Sequence, residues 1–222
     1  MINVDNYISK LIDLLNQAFD ERLLYVGLQG SYLREEATTE SDIDIMVIID
    51  ELSVADLDCY RSIIQSLEYT DKSCGFICSR SDLTSWNPLE ICHLLHTTKD
   101  YYGVLNEYIP TYTRNDIENF VKLSINNLYH EICHRYIHAD ININTEQLPI
   151  SYKCVFFILQ NLYYLKHNKY IATKTELLSK LSGNDLSVLE TAMKISIAHT
   201  YNFPESFKLL FTWCQETLQS IE

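Results

Sequence analysis

Gly30 and Ser31, and then, after ten intervening residues, Asp42 and Asp44, are the side chains and backbone positions best suited to chemistry in this sequence. The pair Gly30-Ser31 follows an apolar run, Leu23–Leu28, and Asp42-Ile43-Asp44 leads into a second, Ile45–Ile49. Two strands joined by a glycine-led turn give that pattern. Side chains on a strand alternate between faces, so Asp42 and Asp44 share one, about 6–7 Å apart. Two carboxylates so placed repel each other unless a cation lies between them, and their hard oxygens suit Mg²⁺. If Gly30 and Ser31 open a helix, their free backbone N–H groups make an anion site beside that cation. A cation next to an anion site is what a nucleoside triphosphate requires.

The flanking elements follow from periodicity. Val4, Ile8, Leu11, Leu15 and Ala18 recur at helical spacing, which predicts an amphipathic helix over 3–19 packed on the sheet. The first strand spans Leu23–Leu28, a short helical turn carries Arg34, and the second strand holds Asp42 and Asp44, with Ile43 and Ile45 on its other face. Ser53 and Asp56 form a capping-box-like start for a helix through Leu67 that buries Leu57, Ile63, Ile64 and Leu67. Asp71-Lys72 reads as a polar turn, Cys74–Cys78 as the third strand, and Leu89–Leu95 as a short helix. Ile109-Pro110 is the expected boundary, since a residue before proline avoids helix.

Beyond the boundary every strong segment is helical. Thr113 and Asp116 cap a helix to about His138, with Ile117, Val121, Leu128 and Ile132 as its buried stripe. Asp140–Gln147 reads as a polar loop, and Pro149 as the first turn of a helix bearing Val155, Phe156, Leu159, Leu162 and Tyr163. Thr173 caps a helix through Leu181, Asp185 starts another through His199, and Pro204 opens the last. The expected architecture is therefore an α/β half with a small mixed sheet, residues 1–110, followed by an all-α helical bundle, residues 111–222.

The chain has 222 residues, 47% hydrophobic and 21% charged, with 5 Gly and 4 Pro, which implies folded domains with little linker. Its net charge of −13 disfavours a polynucleotide partner, which needs a positive face. The 7 cysteines are odd in number, irregularly spaced and follow no secretory segment, so reduced thiols and a cytoplasmic location are expected. No apolar run approaches the ~20 residues of a membrane span.

Gly-Ser, ten residues, then Asp-Ile-Asp between two apolar strands resembles the signature of the polymerase-β-like nucleotidyltransferase superfamily, within it the minimal and the antibiotic nucleotidyltransferases. The resemblance implies a nucleotidyltransferase domain followed by a HEPN-like helical domain that forms the acceptor site. It implies Asp42 and Asp44 as catalytic Mg²⁺ ligands, with Gly30 and Ser31 binding the triphosphate and Arg34 adding charge there. ATP is the implied donor and a small, hydroxyl-bearing, antibiotic-like molecule the implied acceptor, with pyrophosphate released by a monomer or homodimer. From the helical half, Glu131 or Glu118 would act as general base and Lys122 would reach the triphosphate.

One departure stands out. The superfamily supplies a third acid from the next strand, and here that strand has none; Cys74 falls near the expected position. Asp71, Asp82 or Glu90 could supply it through a local shift, two carboxylates could suffice, or the site could bind nucleotide without turnover. Modification of a protein or a tRNA end is the alternative target, although Arg135 and His138 are too close to match the HEPN nuclease spacing. His130, His134 and His138 repeat at helical spacing roughly opposite the apolar stripe, a His-rich face rather than a zinc site.

Overall fold

The structure is a computed structural model describing residues 2–198 and 200–221. The chain forms two compact units, Met1–Tyr112 and Thr113–Glu222.

The first unit is built on a four-stranded mixed sheet of order β3-β2-β1-β4, where β1 is Leu23–Leu28, β2 Ile43–Ile49, β3 Ser73–Ser79 and β4 Lys99–Tyr102. β1 runs antiparallel to β2 and to β4, and β2 runs parallel to β3. Strict alternation along β2 divides the core. Ile43, Ile45, Val47 and Ile49 join Ile8, Leu11 and Leu15 of α1 (Val4–Phe19) and Ile63 of α3 (Val54–Ser66) on one face. Met46 and Ile48 join Tyr25, Cys78, Leu83 and Leu105 on the other. The edge strand β4 went unread in the sequence, because its four residues, Lys-Asp-Tyr-Tyr, have no apolar alternation. Two expected burials differ: Ala18 is exposed, Phe19 beside it being buried instead, and Leu57 is exposed on α3.

Among the described residues three helices begin with the same device. Ser53, Ser79 and Thr113 each accept from the backbone N–H three residues on, while Asp56, Asp82 and Asp116 reach back to the cap N–H. These boxes open α3, α4 (Arg80–Thr84) and α6 (Arg114–His138). α5 spans Pro88–His96, with Asn87 as its cap.

In the second unit, α6 buries Ile117, Val121, Ile125, Leu128 and Ile132 as its stripe. The expected loop at Asp140–Gln147 is helical: Asp140 caps α7, Ile141–Lys153. Buried Asn144 explains it, since its side-chain amide donates to the carbonyls of Arg135, Ala139 and Asp140 and so fixes the turn between α6 and α7. Pro149 sits inside α7, not at a helix start. It removes the N–H that would pair with the Thr145 carbonyl, and the Tyr201 hydroxyl donates to that carbonyl instead. α8 is Val155–His167, α9 Lys174–Leu178, α10 Gly183–Ala198 and α11 Phe203–Ser220. α9 ends before Leu181, and the expected helix end at His199 lies outside the described residues. Among the described residues no helix is long and apolar enough to cross a membrane.

Candidate active site

β1 ends at Leu28, and the backbone N–H of Gln29 donates to the Asp44 carbonyl at 2.8 Å, holding the turn against β2. The short α2, Gly30–Leu33, starts there. Gly30 has φ +71°, and a Cβ on it would lie 1.9 Å from Asp44 Oδ2. Only glycine permits both the left-handed backbone and the carboxylate pressed against it. Gly30 and the second aspartate of the motif are thus packed against each other.

Asp44 lies within β2, while Asp42 falls just before the strand starts at Ile43 and is exposed. Asp44 shares the sheet face of Met46 and Ile48, opposite Ile43 and Ile45 as expected. Burial pushes the Asp44 carboxyl above its ordinary value and the charge of Asp42 adds to this, while a hydrogen bond from Cys74 and the charge of Arg34 pull the other way. A half-buried carboxylate repelled by a second is a site short of positive charge.

Cys74 completes the local arrangement. The parallel register pairs Asp44 with Cys74, whose thiol hydrogen-bonds the Asp44 carboxylate. Burial raises this thiol and its contact with Asp44 raises it further, although it is an exposed cysteine. The next residue, Gly75, has φ +114° and lies so close to β2 that a Cβ would meet the Ile45 carbonyl oxygen at 1.9 Å. The position facing Asp44 on β3 is therefore a thiol. Asp82 is committed to its capping box, Glu90 accepts from Trp86 Nε1 at 2.7 Å, and Asp71 lies exposed in the turn before β3.

Arg34 is not a solvated side chain. It is 12% exposed and its Nε lies 3.1 Å from Glu36 Oε2. Its charge also reaches His93 of α5. Burial pushes that imidazole down to about 4, with the charges of Arg34 and His96 adding to the effect. Between its ordinary value of 6.5 and about 4, the unfolded chain binds the proton and the folded chain does not. Stability falls as pH drops through this window, by up to about 3 kcal/mol from His93, and is untouched by His93 above it. Urea unfolding at several pH values is expected to show a shallower acid loss in His93→Leu than in the native chain.

The helical unit holds the other expected site residues. Lys122 Nζ pairs with Glu118 Oε1 at 2.8 Å on its own helix. Glu131 Oε1 is held by Arg135 Nη1 at 2.6 Å and by Ser151 Oγ at 3.0 Å. Lys122 and Glu131 are nine residues apart on α6, about 13 Å along its axis, so they do not converge on one point. His130, His134 and His138 are exposed along α6, with neighbouring ring centroids 6.1 and 4.7 Å apart. Among the described residues no group of three or more His, Cys, Asp or Glu side chains could hold a metal ion. The donors at Asp42 and Asp44 fit an open site, where a hard divalent ion takes one or two carboxylates and completes its shell with phosphate oxygens and water.

Residues 8–75, from α1 through the start of β3, match the family model described as nucleotidyltransferase domain. The matched stretch contains Gly30, Ser31, Asp42 and Asp44. Among solved structures, the chain is similar to a spectinomycin adenyltransferase from Enterococcus faecialis crystallised with ATP and spectinomycin, at TM-score 0.59 and 14% identity, covering 97% of this chain and 99% of that one. At this identity the likeness is one of fold, and it extends through the helical half. A toxin-antitoxin complex with AMP-PNP (23% identity, 58% and 92% covered, TM-score 0.32) and a nucleotidyltransferase-like protein from Exiguobacterium sibiricum (11% identity, 96% and 74% covered, TM-score 0.38) are more distant. No curated protein sequence matches.

The contact between Gly30 and Asp44 gives a direct test. Gly30→Ala retains the fold but displaces the Asp44 carboxylate, and a displacement of about 1 Å in a reacting geometry costs roughly 10²-fold in rate. Pyrophosphate release measured against circular dichroism of the same sample checks both halves of that expectation.

Proposed function

We propose that this chain is a nucleotidyltransferase that moves a nucleoside monophosphate from ATP to a hydroxyl of a small-molecule acceptor, releasing pyrophosphate with Mg²⁺. The observation that carries the proposal is the packing of Gly30 against Asp44, beside Asp42, inside a domain that matches the nucleotidyltransferase model. The similar adenyltransferase was crystallised with ATP and spectinomycin, which supports ATP as donor and a small acceptor.

In this reading Asp42 and Asp44 hold the ion, and Gly30 and Ser31 bind the triphosphate through backbone N–H groups. Arg34, whose charge bears on Asp44, adds positive charge to the phosphate region. A bound divalent ion supplies Lewis-acid stabilisation of the phosphoryl charge and of the leaving pyrophosphate. We assign acceptor binding to the helical unit, read as HEPN-like, with Glu131 as base toward the acceptor hydroxyl and Lys122 as a phosphate contact. Glu131→Gln tests the first assignment: it must lower kcat, since a general base contributes about 10²-fold or more.

The thiol at the third-acid position favours one other reading, a nucleotide-binding protein that no longer turns over. Mass spectrometry of an acceptor panel incubated with ATP and Mg²⁺ separates the two. A nucleotidylated small molecule supports the transferase, whereas label appearing only on protein or RNA in a lysate moves the activity to a macromolecular target. ATP binding with no product of either kind leaves the non-catalytic reading.

A further inference from the structure

The second unit contains a cavity of about 200 Å³ where the end of α8, the start of α10 and the end of α11 meet. Lys166, Asn184, Asp185, Trp213, Glu216 and Thr217 line it. Trp213 Nε1 donates to Asp185 Oδ1 at 2.8 Å, and Asn184 Nδ2 donates to Glu216 Oε2 at 2.7 Å. Both donors are neutral and leave the two negative charges uncompensated. Lys166 Nζ lies 3.9 Å from Asp185 Oδ2, beyond hydrogen-bond reach, and its side chain is 54% exposed. Thr217 is a separate sign of a ligand. It is only 5% exposed, it lines the cavity, and its hydroxyl has no hydrogen-bond partner among the described residues. A hydroxyl buried in this way costs stability unless something in the cavity bonds it.

Water could fill this space, but it would not neutralise a lining with two carboxylates and one lysine. A bare metal ion does not fit either, since among the described residues no group of three or more His, Cys, Asp or Glu could hold one. The volume is below the roughly 300–1,000 Å³ of pockets for drug-sized ligands, which excludes a nucleotide or an antibiotic-sized acceptor. We propose that the cavity binds a small organic cation, a primary amine of a few heavy atoms. Its ammonium takes the free oxygens of Asp185 and Glu216, and a second polar group of the ligand meets the Thr217 hydroxyl. Glu216 is tied through Asn184 to the residue next to Asp185, so both carboxylates serve one ligand. Lys166, largely in water, is displaced from Asp185 by the incoming ammonium. Binding is non-covalent. The inference uses neither the ion site nor the transfer reaction, and it stands or falls apart from them.

Ethanolamine is the probe, titrated into the full chain and followed by ligand-observed NMR. Choline, which has the charge without the N–H donors, and acetate are the controls. The expected result is saturable binding of ethanolamine, at least about tenfold weaker binding of choline, and none of acetate. Asp185→Asn and Glu216→Gln each weaken ethanolamine about tenfold or more, since each removes a hydrogen bond to a charged group. Asp185→Asn keeps an oxygen for Trp213 Nε1, so the fold is retained. Thr217→Val keeps the shape and weakens binding, while its thermal melt stays level with the native chain or rises. Lys166→Gln tightens binding by removing the competing cation. No saturation by ethanolamine overturns the proposal, as does an affinity unchanged in both carboxylate variants. Weaker binding in Lys166→Gln also overturns it, because the site would then serve an anion or a zwitterion. A clear fall in the melt of Thr217→Val does so too, since the hydroxyl would be serving the fold and not a ligand.

Discussion

Asp44→Asn is expected to lower ion-dependent pyrophosphate release by about 10³-fold or more, a loss of roughly 4 kcal/mol in transition-state stabilisation, while leaving the folded chain as stable as before or slightly more so. The two effects have one cause. Asp44 is a half-buried carboxylate held above its ordinary value by burial and by the charge of Asp42. With its folded value raised, the folded state holds this proton more tightly than the unfolded one, and stability falls as pH rises through that window. An asparagine keeps the shape and can still accept from Cys74, but carries no charge to desolvate. It also has no charge with which to hold a cation. Steady-state rates with ATP and Mg²⁺, alongside thermal melts of the same preparations, check both signs at once. A variant that is both inactive and strongly destabilised would mean that Asp44 is a structural residue.

Gly75→Ala is expected to damage folding, with little left to measure in activity. Its φ of +114° is strained for any residue with a Cβ, and that Cβ would lie 1.9 Å from the Ile45 carbonyl oxygen. The obstacle is backbone of the central strand β2 and has no rotamer to swing away. Relief requires β2 and β3 to separate, at a cost of about 3–5 kcal/mol in strain and lost pairing. For a chain of this size that lowers Tm by roughly 10 °C, which differential scanning fluorimetry resolves. Gly30→Ala makes the contrast: its obstacle is the end of a side chain, so activity falls and the fold remains.

β1 and β2 were legible because they are apolar runs bounded by turn residues, so that β1 spans Leu23–Leu28 as read, and in the second unit the Thr113 cap of α6 stands as read. The misreadings have local causes. Asp140–Gln147 looks like a loop because Asn142, Asn144 and Thr145 lower helix propensity, and Asn144 escapes that preference only by burying its amide on three carbonyls. Pro149 looks like a helix start because no sequence rule reveals that a tyrosine 52 residues on, Tyr201, caps the carbonyl it strands. At the site, spacing located Gly30, Ser31, Asp42 and Asp44 and pointed to Cys74, whereas the register that sets Cys74 opposite Asp44, and the burial of His93 near Arg34, exist only in three dimensions.

Gly30, Asp42 and Asp44 are proposed to form a site for a triphosphate and its divalent ion. Calorimetric titration of ATP into the native chain and into the Asp42→Asn, Asp44→Asn double variant, with a divalent ion and with chelator, tests it most directly. Saturable binding to the native chain that disappears with chelator and in the double variant is expected. ATP binding that persists undiminished in both, or that never occurs with any divalent ion, would contradict it.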